Sequence, residues 1–107
     1  MNRIDKKFKL LKRSKEKAFI AYITAGDPNL GMTARLVPAL EKAGVDIIEL
    51  GIPFSDPLAD GPTIQAASKR ALKNKASLPK IFKMVKGLRR KIKIPIAFMT
   101  YFNPVFR

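Results

Sequence analysis

The sequence predicts an α/β protein in which helices cover a parallel sheet. Three short apolar runs, 18–24, 45–50 and 94–101, have the length and residue types of buried strands. Segments with apolar residues at helical spacing separate these runs. Continuous apolar strands that alternate with amphipathic helices are typical of parallel sheets. The length of 107 residues fits one small domain.

The first element is an amphipathic helix over residues 3–13. Ile4, Phe8 and Leu11 recur at helical spacing and predict its inner face, while Lys and Arg side chains form the outer one. The strand 18–24 follows and stops at a Gly-Asp-Pro turn signal.

Asn29 can cap a second helix, which we expect to run to about Ala43. Gly44 suits the C-terminal cap of this helix, and the strand 45–50 follows. The predicted inner stripe of the helix holds Leu36, Val37 and Leu40.

A loop then leads to a helix over 62–73, because Pro is favoured at the first helical position. Ser77 can cap a further helix over 78–91. The third strand, 94–101, has Pro95 at its start, where a missing N–H is tolerated. The inner face of the 78–91 helix is expected to hold Ile81, Phe82, Val85 and Leu88.

The composition narrows the possible chemistry. The chain has no cysteine, which excludes disulfides and Cys-based zinc sites, and no histidine, which removes the most frequent general base. Acid–base chemistry must therefore use carboxylates, Lys or Tyr, and we expect no metal site. No apolar run approaches the ~20 residues of a membrane span, and residues 1–17 lack the pattern of a signal peptide. We expect a cytoplasmic protein.

The formal net charge of +14 raises the alternative of a nucleic-acid-binding protein. Residues 1–20 carry 8 basic and 2 acidic side chains, residues 21–60 carry 2 and 6, and residues 61–107 carry 12 and none. The basic segments lack aromatic residues interleaved for base stacking. Solvated helix faces therefore explain the charge better than a nucleic-acid interface, and we expect no nucleic-acid partner.

The acidic side chains gather near the end of the second strand. Strand alternation places Val45, Ile47 and Glu49 on one face, with Glu49 at the carboxyl end, where β/α folds carry their sites. Asp60 lies in the following loop and could face the same opening. Two carboxylates in unlike surroundings can serve as acid and base. Each of them could instead be a surface residue or a helix cap.

The other two strand ends also carry polar side chains. These are Tyr22 and Thr24 on the first strand and Thr100 and Tyr101 on the third, and they are candidates for a substrate pocket. Packing alone is the alternative for the two tyrosines. Asp27, which follows the first strand, is expected to form a turn with Pro28 rather than to take part in catalysis.

Three motifs taken together resemble the α subunit of tryptophan synthase. They are ITAGDP at residues 23–28, ELGIPFSDPLADGPTIQ at 49–65, which is the family's signature, and MTYFNP at 99–104. The resemblance spans nearly the whole chain but only the first part of the family's length. It implies the N-terminal part of a (β/α)8 TIM barrel, so that residues 1–107 would be one partial barrel domain ending after its third strand.

The resemblance also implies a lyase of tryptophan biosynthesis. Indole-3-glycerol phosphate would be cleaved by retro-aldol chemistry to indole and glyceraldehyde 3-phosphate. Glu49 stands at the family's catalytic glutamate position and would pass a proton to the ring carbon that carries the side chain. Asp60 stands at the catalytic aspartate position and would stabilise or remove the indole N–H proton.

The family further implies an α2β2 complex with the β subunit of tryptophan synthase. Pyridoxal phosphate would belong to that partner, so this chain would need no cofactor. Candidate contacts with the partner are Pro53, Phe54, Ser55, Asp56, Pro57, Asn103 and Pro104.

The family's glycine-rich phosphate-binding loops lie in later strands. We therefore expect residues 1–107 alone to lack lyase activity. The alternative within the same family is a non-catalytic chain that only binds the β subunit.

Overall fold

The computed structural model describes residues 2–54 and 61–100, and it confirms the predicted alternation of helices and strands. The described residues contain four helices and three strands. In chain order they are α1 (Arg3–Ser14), β1 (Ile20–Thr24), α2 (Leu30–Lys42), β2 (Ile47–Gly51), α3 (Pro62–Lys73), α4 (Leu78–Leu88) and β3 (Ile96–Met99).

The three strands form one parallel sheet in the order β1-β2-β3. In the register, Tyr22 of β1 is opposite Glu49 of β2, and Glu49 is opposite Ala97 of β3. Because the strands are parallel, their carboxyl ends all lie at the same edge of the sheet.

Helices α2 and α4 pack on one face of this sheet. Ile48 and Leu50 of β2 are fully buried there, in a cluster with Val37 of α2 and with Ile81 and Val85 of α4. Side chains alternate along a strand, so the neighbouring residues of β2 point to the opposite face. This opposite side of the sheet is called the inner face below. Its residues are Ile20, Tyr22, Thr24, Ile47, Glu49, Gly51, Ala97 and Met99.

Each strand begins later than its apolar run predicts, because backbone groups of the first residues have other partners. The Asp46 carboxylate accepts a hydrogen bond from the Phe19 N–H at 2.8 Å. The Glu41 carboxylate accepts bonds from the N–H groups of Lys93 and Ile94, at 2.9 and 2.6 Å. Asp46 ties the segment before β1 to the residue that precedes β2, and Glu41 ties the segment before β3 to the last turn of α2. Pro95 precedes β3 by one residue, close to its predicted place.

The helix caps follow the sequence closely. The Asn29 side chain accepts a hydrogen bond from the Met32 N–H at 2.8 Å, and Gly44 follows α2 in a left-handed conformation with φ of 102°. Pro62 opens α3 as predicted. Ser77 is the N-terminal cap residue of α4, but its side chain makes no cap hydrogen bond. The α4 helix ends at Leu88 rather than Lys91, and turns in which Lys91 and Ile92 donate to the Leu88 carbonyl follow it.

The sequence wrongly predicts that three helix residues face the core. Phe8 of α1 is 47% exposed, Leu36 of α2 is 36% exposed and Phe82 of α4 is 47% exposed. In α2 the predicted Val37 is buried as expected, and Thr33, which was not predicted, is buried with it. Phe82 contacts the edge of Phe98 on β3, with ring centroids 5.2 Å apart and planes at 79°. Apolar side chains at helical spacing therefore mark the core only approximately.

Helix α1 is attached at the amino-terminal edge of the sheet. The Arg3 guanidinium donates to the Ile92 carbonyl at 3.3 Å, and the Lys7 ammonium lies 3.7 Å from the Asp46 carboxylate. The carboxyl edge therefore lies at the opposite end from these contacts. No helix in the described part of the chain is long and apolar enough to cross a membrane.

Candidate functional site

Glu49 is the middle residue of the central strand, because β2 extends to Gly51 rather than ending at residue 50, and it lies on the inner face. Its strand neighbours Ile48 and Leu50 are fully buried against the helices, whereas the Glu49 side chain is only partly buried. Within residues 2–54 and 61–100, nothing forms a hydrogen bond or ion pair with its carboxylate. A partly buried carboxylate without a protein partner is available for proton transfer to a bound molecule.

Tyr22 lies beside Glu49 in the sheet, since the two residues are register partners on the inner face. The Tyr22 ring extends toward the carboxyl edge and over Gly51, two residues after Glu49 on β2. The Thr24 hydroxyl lies 3.5 Å from the Tyr22 hydroxyl, which is a long hydrogen bond. Two of the predicted pocket residues, Tyr22 and Thr24, are thus brought together beside Glu49.

A cavity of about 270 Å³ opens on one side of this group. Tyr22 and Thr24 contribute to its wall, together with Thr63, Ile64 and Ala67 from the first turns of α3. Glu49 does not line this cavity. The Tyr22 ring therefore lies between two spaces, the cavity next to α3 and the open inner face in front of Glu49.

The turn after β1 is fixed to α3 by side-chain contacts. Arg70 donates two hydrogen bonds to the Asp27 carboxylate, at 2.7 and 3.0 Å. This bond to Asp27 is the main cause of the raised pKa of Arg70. Asn74 also donates to the Pro28 carbonyl. The sequence predicts only a turn at Asp27, and no local pattern identifies Arg70 as its partner, since the two residues are 43 positions apart.

The turn after β1 is also hydrogen-bonded to α2. The buried Thr33 hydroxyl accepts a hydrogen bond from the Gly26 N–H at 2.9 Å and lies 3.3 Å from the Asn29 carbonyl, to which it donates. Thr33 is 1% exposed. The residues that follow Thr24 are therefore held by two helices, and this arrangement positions the carboxyl end of β1.

The remaining predicted site residues are not brought together by the described part of the chain. Thr100 is exposed and follows β3. Pro53 is buried, so it offers little surface to a partner, whereas Phe54 is partly exposed. Six further predicted contact or pocket residues and the second carboxylate lie outside the described residues. They are Ser55, Asp56, Pro57, Asp60, Tyr101, Asn103 and Pro104.

The described residues contain no group of three or more carboxylates that could hold a metal ion. Their site chemistry consists of one partly buried carboxylate, a phenol and a threonine hydroxyl at the carboxyl edge of a parallel sheet. That edge carries the active sites of (β/α)8-barrel enzymes. The strand order, the helices and this site are consistent with a segment of such a barrel.

Comparison with known proteins supports the same class. The family described as "Tryptophan synthase alpha chain" matches residues 8–107. The tryptophan synthase alpha chain of Thermoanaerobacter sp. (strain X514) is 57% identical over 107 residues, which are 100% of this chain and 41% of that protein.

Solved structures give the same result. The crystal structure of tryptophan synthase subunit alpha from Legionella pneumophila str. Paris superposes with a TM-score of 0.96 at 45% identity, over 99% of this chain and 41% of that one. The tryptophan synthase complex from Pyrococcus furiosus contains a chain that matches with a TM-score of 0.79 at 50% identity, over 84% of this chain and 37% of that one.

The chain belongs to the tryptophan synthase alpha chain family. The predicted fold class is confirmed, because the related structures are TIM barrels and the three parallel strands with their connecting helices superpose on them. The chain spans about 41% of the length of the Thermoanaerobacter relative.

Proposed function

We propose that residues 1–107 supply proton-transfer groups to a tryptophan synthase alpha chain, which cleaves indole-3-glycerol phosphate to indole and glyceraldehyde 3-phosphate. The observation that carries this proposal is the Glu49 carboxylate. It lies in the middle of β2, two residues before the strand ends, on the inner face and without a protein partner in the described residues. Family membership supplies the reaction class.

In this reaction, the acid form of Glu49 donates a proton to the indole ring carbon that carries the side chain. The resulting cation is stabilised by the carboxylate left behind, because opposite charges attract strongly at a partly water-excluded site. The bond between that carbon and the side chain then breaks, and its electron pair restores the indole ring. The adjacent hydroxyl becomes the aldehyde of glyceraldehyde 3-phosphate, and its proton returns to the carboxylate.

Asp60 has a second role in this proposal. A carboxylate at the indole N–H stabilises the positive charge that ring protonation produces, or removes that proton. The motif at 49–65 supports this role, since it places Asp60 one residue before Gly61, the cap of α3.

We further propose that the chain binds the β subunit of tryptophan synthase in an α2β2 complex. The match to a chain of the Pyrococcus furiosus tryptophan synthase complex supports this partner. Phe54, which is partly exposed beyond the end of β2, is the best placed of the described contact candidates. Pyridoxal phosphate would be held by the β subunit, and this chain would use no cofactor of its own.

The substrate's phosphate would be bound by strands that follow these residues in the complete barrel. The usual phosphate site of a TIM barrel lies after strands 7 and 8, and the described part of this chain supplies only three strands. We therefore propose that residues 1–107 form part of one barrel domain, and that they bind the substrate too weakly on their own for catalysis.

A chimeric subunit tests this proposal. Residues 1–107 replace the matching residues of the Thermoanaerobacter alpha chain, and indole release from indole-3-glycerol phosphate is measured with and without the β subunit. We expect the chimeric subunit to form indole and the 107-residue polypeptide to form none. A folded chimeric subunit without activity would contradict the proposed function, and turnover by the 107-residue polypeptide would contradict the need for the later strands.

A further inference from the structure

Gly51 occupies a position where a side chain would collide with Tyr22. A Cβ atom built on Gly51 would overlap the Tyr22 hydroxyl oxygen and would lie 2.6 Å from the ring carbon Cζ and 3.0 Å from Cε2. Real Cβ atoms essentially never approach other atoms this closely. The tyrosine ring therefore fills the volume that any other residue at position 51 would need.

Backbone conformation does not explain this glycine. The glycines with positive φ in the described residues are Gly26 and Gly44, and Gly51 lies in the regular ladder of β2 opposite Thr24 and Met99. A glycine inside a strand weakens the strand and often marks a close approach. Here the group that approaches is the Tyr22 side chain.

The direction of the Tyr22 ring determines whether the space in front of Glu49 stays open. Tyr22 and Glu49 are register partners, and the ring leans away from Glu49 along β2 toward the carboxyl edge. With a methyl group at position 51, the ring must turn about its Cα–Cβ bond, because rotation about the Cβ–Cγ bond leaves the Cζ atom and the hydroxyl oxygen where they are. It would then enter the space in front of Glu49 or the cavity beside Thr63 and Ile64.

We infer that Gly51 is a positioning residue. Because it has no side chain, the Tyr22 ring can lie over it, and this direction of the ring leaves the Glu49 carboxylate accessible to substrate. Gly51 itself touches no reacting atom. It acts only through Tyr22, which forms one wall of the pocket. The kinetic consequence rests on the proposed function, but the packing of Gly51 against Tyr22 does not.

The substitution Gly51→Ala in the chimeric subunit tests the inference kinetically. We expect kcat/KM for indole release to fall by about tenfold or more, because small misplacements at a site cost rate steeply. The loss should come mainly from a higher KM, since the displaced ring narrows the substrate's space. Gly87→Ala is the matched control. A Cβ atom at this exposed glycine of α4 would meet nothing within 4 Å, and we expect kcat and KM to stay unchanged.

A variant without the Tyr22 ring distinguishes an effect of Gly51→Ala through that ring from a general loss of structure. In a Tyr22→Leu chimeric subunit, the ring is absent and the added methyl group has no partner to displace. We expect the double variant Gly51→Ala/Tyr22→Leu to have the KM of Tyr22→Leu alone. If Gly51→Ala does not fold, the double variant should still fold and give the same comparison. Additive losses, or a double variant that also fails to fold, would overturn the inference.

Fluorine NMR of a chimeric subunit labelled with 3-fluorotyrosine tests the packing without activity. The Tyr22 resonance is the one that disappears in Tyr22→Leu. We expect Gly51→Ala to shift this resonance and Gly87→Ala to leave it in place. An unchanged Tyr22 resonance in Gly51→Ala would overturn the inference. A shifted resonance in a chimeric subunit without lyase activity would support the packing while the proposed function fails.

Discussion

The Glu49 carboxylate owes its position to the alternation of side chains along β2. Ile48 and Leu50 are drawn into the helix-covered core, so Glu49 must point to the inner face. The sequence alone predicts this face, because Val45 and Ile47 continue the same alternation. It does not predict the Tyr22 ring over Gly51, since that contact depends on the register between two strands.

Thr33 is a buried polar residue whose hydroxyl has both a hydrogen-bond donor and an acceptor as partners. Its hydroxyl joins the Gly26 N–H to the Asn29 carbonyl in a site that is 1% exposed. No motif signals this role, because threonine within a helix is common. The hydroxyl matters because an unpaired buried N–H is expensive.

We expect Thr33→Val to lower the free energy of unfolding of the chimeric subunit by about 1–3 kcal/mol, because the Gly26 N–H loses its partner. Thr33→Ser keeps the hydroxyl and loses only a methyl group, so its cost should be smaller, at about 1 kcal/mol. Urea denaturation measures both. Equal costs for the two variants would show that packing rather than the hydrogen bond accounts for the loss.

At the scale of elements, carboxylates join the helices to the ends of the strands. The carboxylates of Asp46 and Glu41 accept hydrogen bonds from backbone N–H groups that precede β1 and β3. These bonds make both strands shorter than their apolar runs. Asp27 holds the turn after β1 against α3 through Arg70. The apolar pattern predicts that strands exist, but their ends depend on these long-range bonds and cannot be predicted from local residue types.

We expect Arg70→Gln and Asp27→Asn each to lower the urea midpoint of the chimeric subunit. Because both substitutions break the same pair, the double variant should be little worse than either single one. Lys73→Gln is the matched control, since Lys73 is exposed on the same helix and has no ion-pair partner in the described residues. Additive effects of the two substitutions would show that the pair does not couple β1 to α3.

At the scale of the whole molecule, helices cover one side of the sheet, whereas the inner face is only partly covered. Ile20 and Met99 of the inner face are about half exposed, and both belong to the side that a closed barrel would bury. The 41% coverage of the Thermoanaerobacter relative agrees with three of eight βα units. The alternation of apolar runs with amphipathic segments predicts an α/β sheet, but only motifs shared with a family predict the barrel.

The central claim is that Glu49 transfers the proton that starts cleavage, and its most direct measurement is kcat of the Glu49→Gln chimeric subunit. The amide keeps the shape of the side chain and cannot act as an acid, so we expect kcat for indole release to fall by about 10²-fold or more. The urea midpoint should stay unchanged, and Glu16→Gln, at an exposed carboxylate after α1, should retain full activity. A Glu49→Gln subunit that releases indole at the unsubstituted rate would contradict the claim.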